Sequence, residues 1–69
     1  GNVAFGHDDY CKQIQIALKK AGFYKGKIDG KMGPQTREAI KTFQKAKGLK
    51  IDGIAGSKTW AEIIEYLKE

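Results

Sequence analysis

One cysteine, one proline, one arginine, one histidine and no extended apolar run set the first bounds on this 69-residue chain. Cys11 has no second cysteine to pair with, so a disulfide framework within the chain is excluded. A cysteine-rich structural zinc site is excluded for the same reason. With His7 as the sole imidazole, any metal site would have to be built from several carboxylates; neither a metal nor a cofactor is expected. No apolar stretch approaches the ~20 residues of a spanning helix, so membrane insertion is not expected. There is no secretory apolar region and no polybasic N-terminal tag. Gly1 reads as a trimmed or engineered start, and the chain is expected to be a piece of a longer, exported protein. Arg37 is the single arginine among 13 basic residues. A lysine-dominated surface suits diffuse attraction better than bidentate reading of phosphates or bases.

What is present is ordinary for one small globular domain. Apolar residues make up 41% of the chain, too many for disorder. A chain this short buries only about 60% of its unfolded surface, so the core is thin and an active site built from several remote loops is not expected. The net charge of +5 is concentrated in the middle. Residues 19–50 hold ten basic residues against Asp29 and Glu38, while both ends are slightly acidic. A basic middle favours an anionic partner.

Glycine and proline divide the chain into three helical stretches, with few or no strands. The first is expected from Asp8 or Asp9, either of which can cap it. Tyr10, Ile14, Ala17, Leu18 and Ala21 then share one face, and Gly22 ends the helix where φ is positive. The second opens at Gly33-Pro34, where proline gives up only an N–H that would have been orphaned. Thr36, Ala39, Ile40, Phe43 and Lys47 mark its face, and Gly48-Leu49 repeats the glycine-apolar ending. The third opens at Gly56-Ser57, with Trp60, Ile63, Ile64 and Leu67 as its stripe.

An internal repeat is the most informative feature. Residues 28–36 and 51–59 both read Ile-Asp-Gly-x-x-Gly-x-x-Thr, offset by 23 residues. In each copy a helix begins at the second glycine, and an isoleucine (Ile40, Ile63) follows four after the threonine. The isoleucine that opens each copy is expected to plug the core. Asp29 and Asp52 are expected to accept N–H bonds from the turn or the next helix N-terminus. Gly30 and Gly53 allow positive φ, Gly33 and Gly56 let the backbone enter the helix tightly, and Thr36 and Thr59 can bond backwards. The expected architecture is an all-α, compact three-helix bundle with two pseudo-repeated Asp-Gly-x-x-Gly-x-x-Thr loops. Residues 1–8 read as an extension or linker and 9–69 as the domain.

The ordered combination resembles the peptidoglycan-binding domain of bacterial cell-wall enzymes. The family's first helix is matched by Cys11, Ile14, Gln15 and Leu18, and its glycine-aromatic turn by Gly22-Phe23-Tyr24. The Asp-Gly-x-x-Gly-Pro-x-Thr loop is matched by Asp29 to Thr36. The next helix is matched by Ala39, Ile40, Phe43 and Gln44, and the closing segment by Gly48-Leu49 and Asp52 to Trp60. Ser57 stands where proline is frequent, and Cys11 fills an apolar position. The resemblance implies a non-catalytic, monomeric module attached in cis to a cell-wall hydrolase, in the bacterial envelope or secreted to the periplasm or wall. It implies peptidoglycan as partner, through its glycan strand, its stem peptide or both. The alternative is a protein-interaction or prodomain-like regulatory module with the same fold and no glycan affinity. A nucleic-acid module fits poorly. The segment between the second and third helices, Gly48 to Ala55, exceeds the three or four residues of a helix-turn-helix, and Glu62, Glu65 and Glu69 make the third helix a poor face for phosphates.

Individual residues divide into structural and binding readings. Asp29 and Asp52 sit in identical turns and read as loop-capping carboxylates rather than an acid/base pair. Cys11 reads as a small buried hydrophobe, Trp60 as core, and His7 as an exposed residue of an N-terminal segment. Ile16 lies off the first stripe and is expected to pack on Val3 or Phe5. Phe23 takes the core position after Gly22, which leaves Tyr24 expected in an exposed loop, suited to a sugar face or a peptide. Gln35, Arg37, Lys41 and Gln44 are expected off the apolar face of the second helix or at its edge. Arg37 can fork onto a carboxylate. The candidate ligand-binding set is therefore Tyr24, Lys25, Lys27, Gln35, Arg37, Lys41 and Gln44.

Overall fold

A computed structural model describes the backbone of residues 7–68 and the side chains of residues 10–68. Three α-helices follow one another: α1 (His7–Lys20), α2 (Pro34–Lys47) and α3 (Ser57–Ile63). A 3₁₀ turn, Ile64–Tyr66, continues α3. Among the described residues there is no strand. Helix α1 begins at His7, before the expected Asp8 or Asp9; the side chains of those aspartates, and Val3 and Phe5 as partners of Ile16, lie outside what is described.

Both long helices stop by the same device. The N–H groups of Gly22 and Phe23 donate to the carbonyls of Lys19 and Leu18 at 3.1 and 2.8 Å. Those of Gly48 and Leu49 donate to Lys45 and Gln44 at 3.3 and 2.8 Å. These are paired Schellman closures, with the glycines at φ 88° and 71°. The chain turns back on itself, and Phe23 and Leu49 pack against the core. The third helix is shorter than its stripe predicts. Regular α-helix ends at Ile63, and Tyr66 and Leu67 reach the core from the tighter turn that follows.

The core is Ile14, Ala17, Leu18, Tyr24, Ala39, Ile40, Phe43 and Ile63. Helix α1 is its hub, since α2, α3 and the 3₁₀ turn all pack on it. Phe43 lies at the centre, edge-on to Phe23 at 5.7 Å and to Tyr66 at 5.8 Å. Lys47 closes this end with its ammonium 4.9 Å from the Tyr66 ring centroid. The Cα radius of gyration, 11.1 Å, matches the roughly 11 Å of a fully compacted chain of this length.

One core expectation holds for only one copy of the repeat. Ile28 packs against the core, but Ile51 is 53% exposed. Five residues lie between Gly22 and Ile28, and only two between Gly48 and Ile51. Leu49 already fills the core position on the shorter segment, and Ile51 is left outside.

Candidate functional site

Two buried glutamines organise the loops. From α1, the Gln15 amide nitrogen donates to Asp29 Oδ1 (3.0 Å), the Lys31 carbonyl (3.0 Å) and Thr36 Oγ1 (3.1 Å). Its carbonyl oxygen accepts the Gly30 N–H at 2.8 Å. From α2, Gln44 repeats the pattern on the second loop. Its nitrogen donates to Asp52 Oδ1 (2.8 Å), the Ile54 carbonyl (3.0 Å) and Thr59 Oγ1 (3.1 Å). Its oxygen accepts the N–H groups of Asp52 and Gly53, both at 3.0 Å. Each loop is thus held by the helix that precedes it. Among the described residues no buried side-chain polar atom lacks a partner.

The aspartates close the turns. Lys31 N–H donates to Asp29 Oδ1 and Ile54 N–H to Asp52 Oδ1, each at 2.9 Å. The bonds come from the turn itself; the helix N-caps Gly33 and Gly56 have no side-chain cap. Donation from Gln15, then from the Lys31 N–H, holds the Asp29 carboxyl below the usual carboxylate range. For Asp52 the Ile54 N–H is the larger cause and Gln44 the second. A carboxylate held in its charged form by donors is poorly suited to proton transfer near neutral pH.

Two of the candidate binding residues stand elsewhere than expected. Tyr24 is buried at 4% exposure, not displayed in a loop. Directly after the first Schellman closure, Tyr24 folds its ring inward, and its hydroxyl donates to the Lys27 carbonyl at 2.6 Å. The ring lies so close to Gly26 that a Cβ there would meet the hydroxyl at 2.6 Å. Gln44 is likewise not at a helix edge. It is 1% exposed, because its carboxamide is the latch of the second loop. The role of the two glutamines was the main feature hidden from residue patterning. The available signal was a glutamine directly after a core residue, Ile14-Gln15 and Phe43-Gln44, preceding each Asp-Gly loop.

The remaining candidates split into two groups. Lys25 and Gln35 line a shallow depression of about 230 Å³ with Phe23 and Thr42. Arg37 and Lys41 line a groove of about 470 Å³ with Tyr10, Met32, Asp52 and Ile54. Residues two apart on a helix point to nearly opposite sides, which separates Gln35 from Arg37. Lys27 is exposed beside the first depression's loop. The alkyl stem of Lys41 crosses Gly53, with its Cε 3.2 Å from where a Cβ would stand. Its ammonium is 3.5 Å from Glu38. Among the described residues no carboxylate lies within 4 Å of Arg37.

Other residues take structural places. Cys11 is fully buried. Trp60 packs against the core with its ring 4.8 Å from that of Tyr10. The Tyr10 hydroxyl donates to the Ala55 carbonyl at 2.6 Å, and burial pushes its pKa up. The side chain of His7 lies outside the described set. Among the described residues no three His, Cys, Asp or Glu side chains gather as metal ligands, and no helix is long and apolar enough to cross a membrane.

Comparison with known proteins bears directly on this arrangement. The family model described as "Putative peptidoglycan binding domain" matches residues 7–63. A spore cortex-lytic enzyme of Bacillus cereus is 43% identical over 56 residues, covering 81% of this chain and 22% of the relative. The N-acetylmuramoyl-L-alanine amidase CwlL of Bacillus licheniformis is 46% identical over 63 residues, covering 83% of this chain and 18% of the relative. The amidase CwlM of Mycobacterium tuberculosis is 40% identical over 53 residues, or 77% and 13%. The chain spans about a fifth of the length of the first two of these relatives. No solved structure matches it. The match begins with α1 and runs through both latched loops to the last residue of α3, and the chain belongs to the peptidoglycan-binding domain family.

Proposed function

We propose that this chain is a non-catalytic peptidoglycan-binding module that holds an attached cell-wall hydrolase on its substrate. The observation that carries the reading is the family match over residues 7–63, in a chain that covers about a fifth of relatives named as cortex-lytic enzymes and amidases. The geometry supports it. The two conspicuous carboxylates, Asp29 and Asp52, are committed to loop closure. The module acts as a monomer at the cell wall, outside the cytoplasm. Its contact surface is built on α2 and the loops beside it, with Arg37 and Lys41 on the side of the second loop that Gln44 holds, and Lys25, Lys27 and Gln35 on the other side of the helix, over the buried Tyr24.

Retention on purified sacculi stripped of anionic wall polymers tests the reading. The 69-residue chain is expected to be retained at both low and high salt, without releasing soluble wall fragments. An Arg37→Ala variant should be retained roughly ten-fold less, the scale of one lost charge-assisted hydrogen bond. Retention abolished by salt, with the variant behaving as wild type, would leave only non-specific charge attraction and favour a protein partner instead.

A further inference from the structure

Between α2 and the second loop, exposed apolar surface meets the positive charges of Arg37, which has no ion-pair partner among the described residues, and Lys41, whose one partner is the exposed Glu38. The groove measures about 470 Å³, within the range of small-ligand clefts of roughly 300–1,000 Å³. Ile54 stands at its edge, 66% exposed. The equivalent position of the first loop is Lys31, so this apolar side chain is a departure from the repeat rather than a requirement of it. Latching does not need it either, since loop closure uses only the backbone of Ile54. Met32, half-buried, supplies a second apolar wall.

The charges are arranged for one anion. Arg37 has its planar fork of donors available. Lys41 is laid along Gly53, and its contact with Glu38 is a solvent-exposed pair of little strength. Asp52 lines the same groove, fixed in place by the Gln44 amide and the Ile54 N–H and kept ionised by them. A fixed carboxylate beside two cations accepts a single negative charge and repels a second, which disfavours a polyphosphate. A sugar ring would want an open aromatic face. Tyr10, the aromatic lining this groove, is packed against the Trp60 ring at a tilt of 37° and its hydroxyl is committed to Ala55.

We propose that this groove binds the end of a short peptide, with a free terminal carboxylate on Arg37 and Lys41 and a small apolar side chain against Met32 and Ile54. In peptidoglycan that chemistry is the uncross-linked end of a stem peptide, not the glycan strand. The proposal rests on the wall-binding reading above for its ligand source, and on the groove for its specificity.

The test is a titration of the isotope-labelled 69-residue chain, followed by backbone amide shifts. Three probes are used: a stem tetrapeptide with a free carboxylate, the same peptide as its C-terminal amide, and peptide-free glycan strands. The free acid should shift the amides of Arg37, Gly53 and Ile54. The amidated peptide should bind roughly ten-fold or more weakly, the scale of a charge-assisted hydrogen bond. Arg37→Gln should reproduce that loss for the free acid and Arg37→Lys only part of it, while the charge-matched Lys19→Ala should bind as wild type. Ile54→Ser should weaken both peptides by a similar factor. Equal binding of acid and amide, or shifts of the same amides by glycan strands, overturns the proposal. No response to either peptide while sacculi still retain the chain overturns it and leaves wall binding standing. Failure of both peptide binding and sacculus retention removes the wall-binding reading as well.

Discussion

Gln15 and Gln44 each join a helix to a loop through one carboxamide, and their removal strands several groups at once. Truncating Gln44 to alanine leaves the Gly53 N–H without its buried acceptor and Thr59 without its donor. The expected cost is about 2–4 kcal/mol, read from urea unfolding, with Gln15→Ala in the same range. A loss under about 0.5 kcal/mol would mean water replaces the carboxamide. The aspartates they grip should make stability pH-dependent in a defined direction. Both carboxyls are held below their ordinary values, so their contribution is complete above the unfolded pKa of about 3.9 and is lost as pH falls through the lower folded values. The thermal midpoint should be flat above about pH 5 and fall in acid, and the Asp29→Asn/Asp52→Asn double variant should flatten that fall. Ile54 offers the opposite test. Its side chain is mostly in solvent, so Ile54→Ser should change stability by no more than about 0.5 kcal/mol while altering peptide binding.

Helix endings were legible because they are local. The glycine-apolar pairs at 22–23 and 48–49 announce Schellman closures, and the structure forms both. Replacing Gly48 by alanine forces an L-residue to φ 71° and should cost about 1–2 kcal/mol. For a domain of this size that lowers the thermal midpoint by roughly 4–8 °C per kcal/mol, measurable by circular dichroism. The helix bodies were less fully legible. The stripe from Trp60 to Leu67 has helical spacing, but α3 tightens to 3₁₀ after Ile63, since the last turn answers to where Tyr66 must sit against Phe43. The placement of Tyr24 also escaped local pattern. Two aromatics follow Gly22 and both turn inward, the second into space that a side chain at Gly26 would fill.

At the scale of the whole molecule, a thin core is reinforced by polar latches rather than by size. Phe43 contacts aromatic rings from the turn after α1 and from the C-terminal 3₁₀ turn, so Phe43→Ala should cost about 3–5 kcal/mol and unfold a large fraction of the chain at 37 °C, as read by thermal denaturation. The basic middle leaves its lysines on the outside, where salt screens them. The three helices, their glycine stops, the duplicated loop and the family pattern were legible from residue order, because they depend on short-range geometry. Which polar residues are structural and which face solvent is fixed by long-range packing. Gln44 and Gln35 are both uncharged glutamines on one helix, and nothing in composition separates them. Packing against the second loop buries the first, and the open side of α2 leaves the second in solvent. The same packing brings Arg37 and Lys41 up to Ile54, a meeting of residues far apart in sequence that no local period encodes.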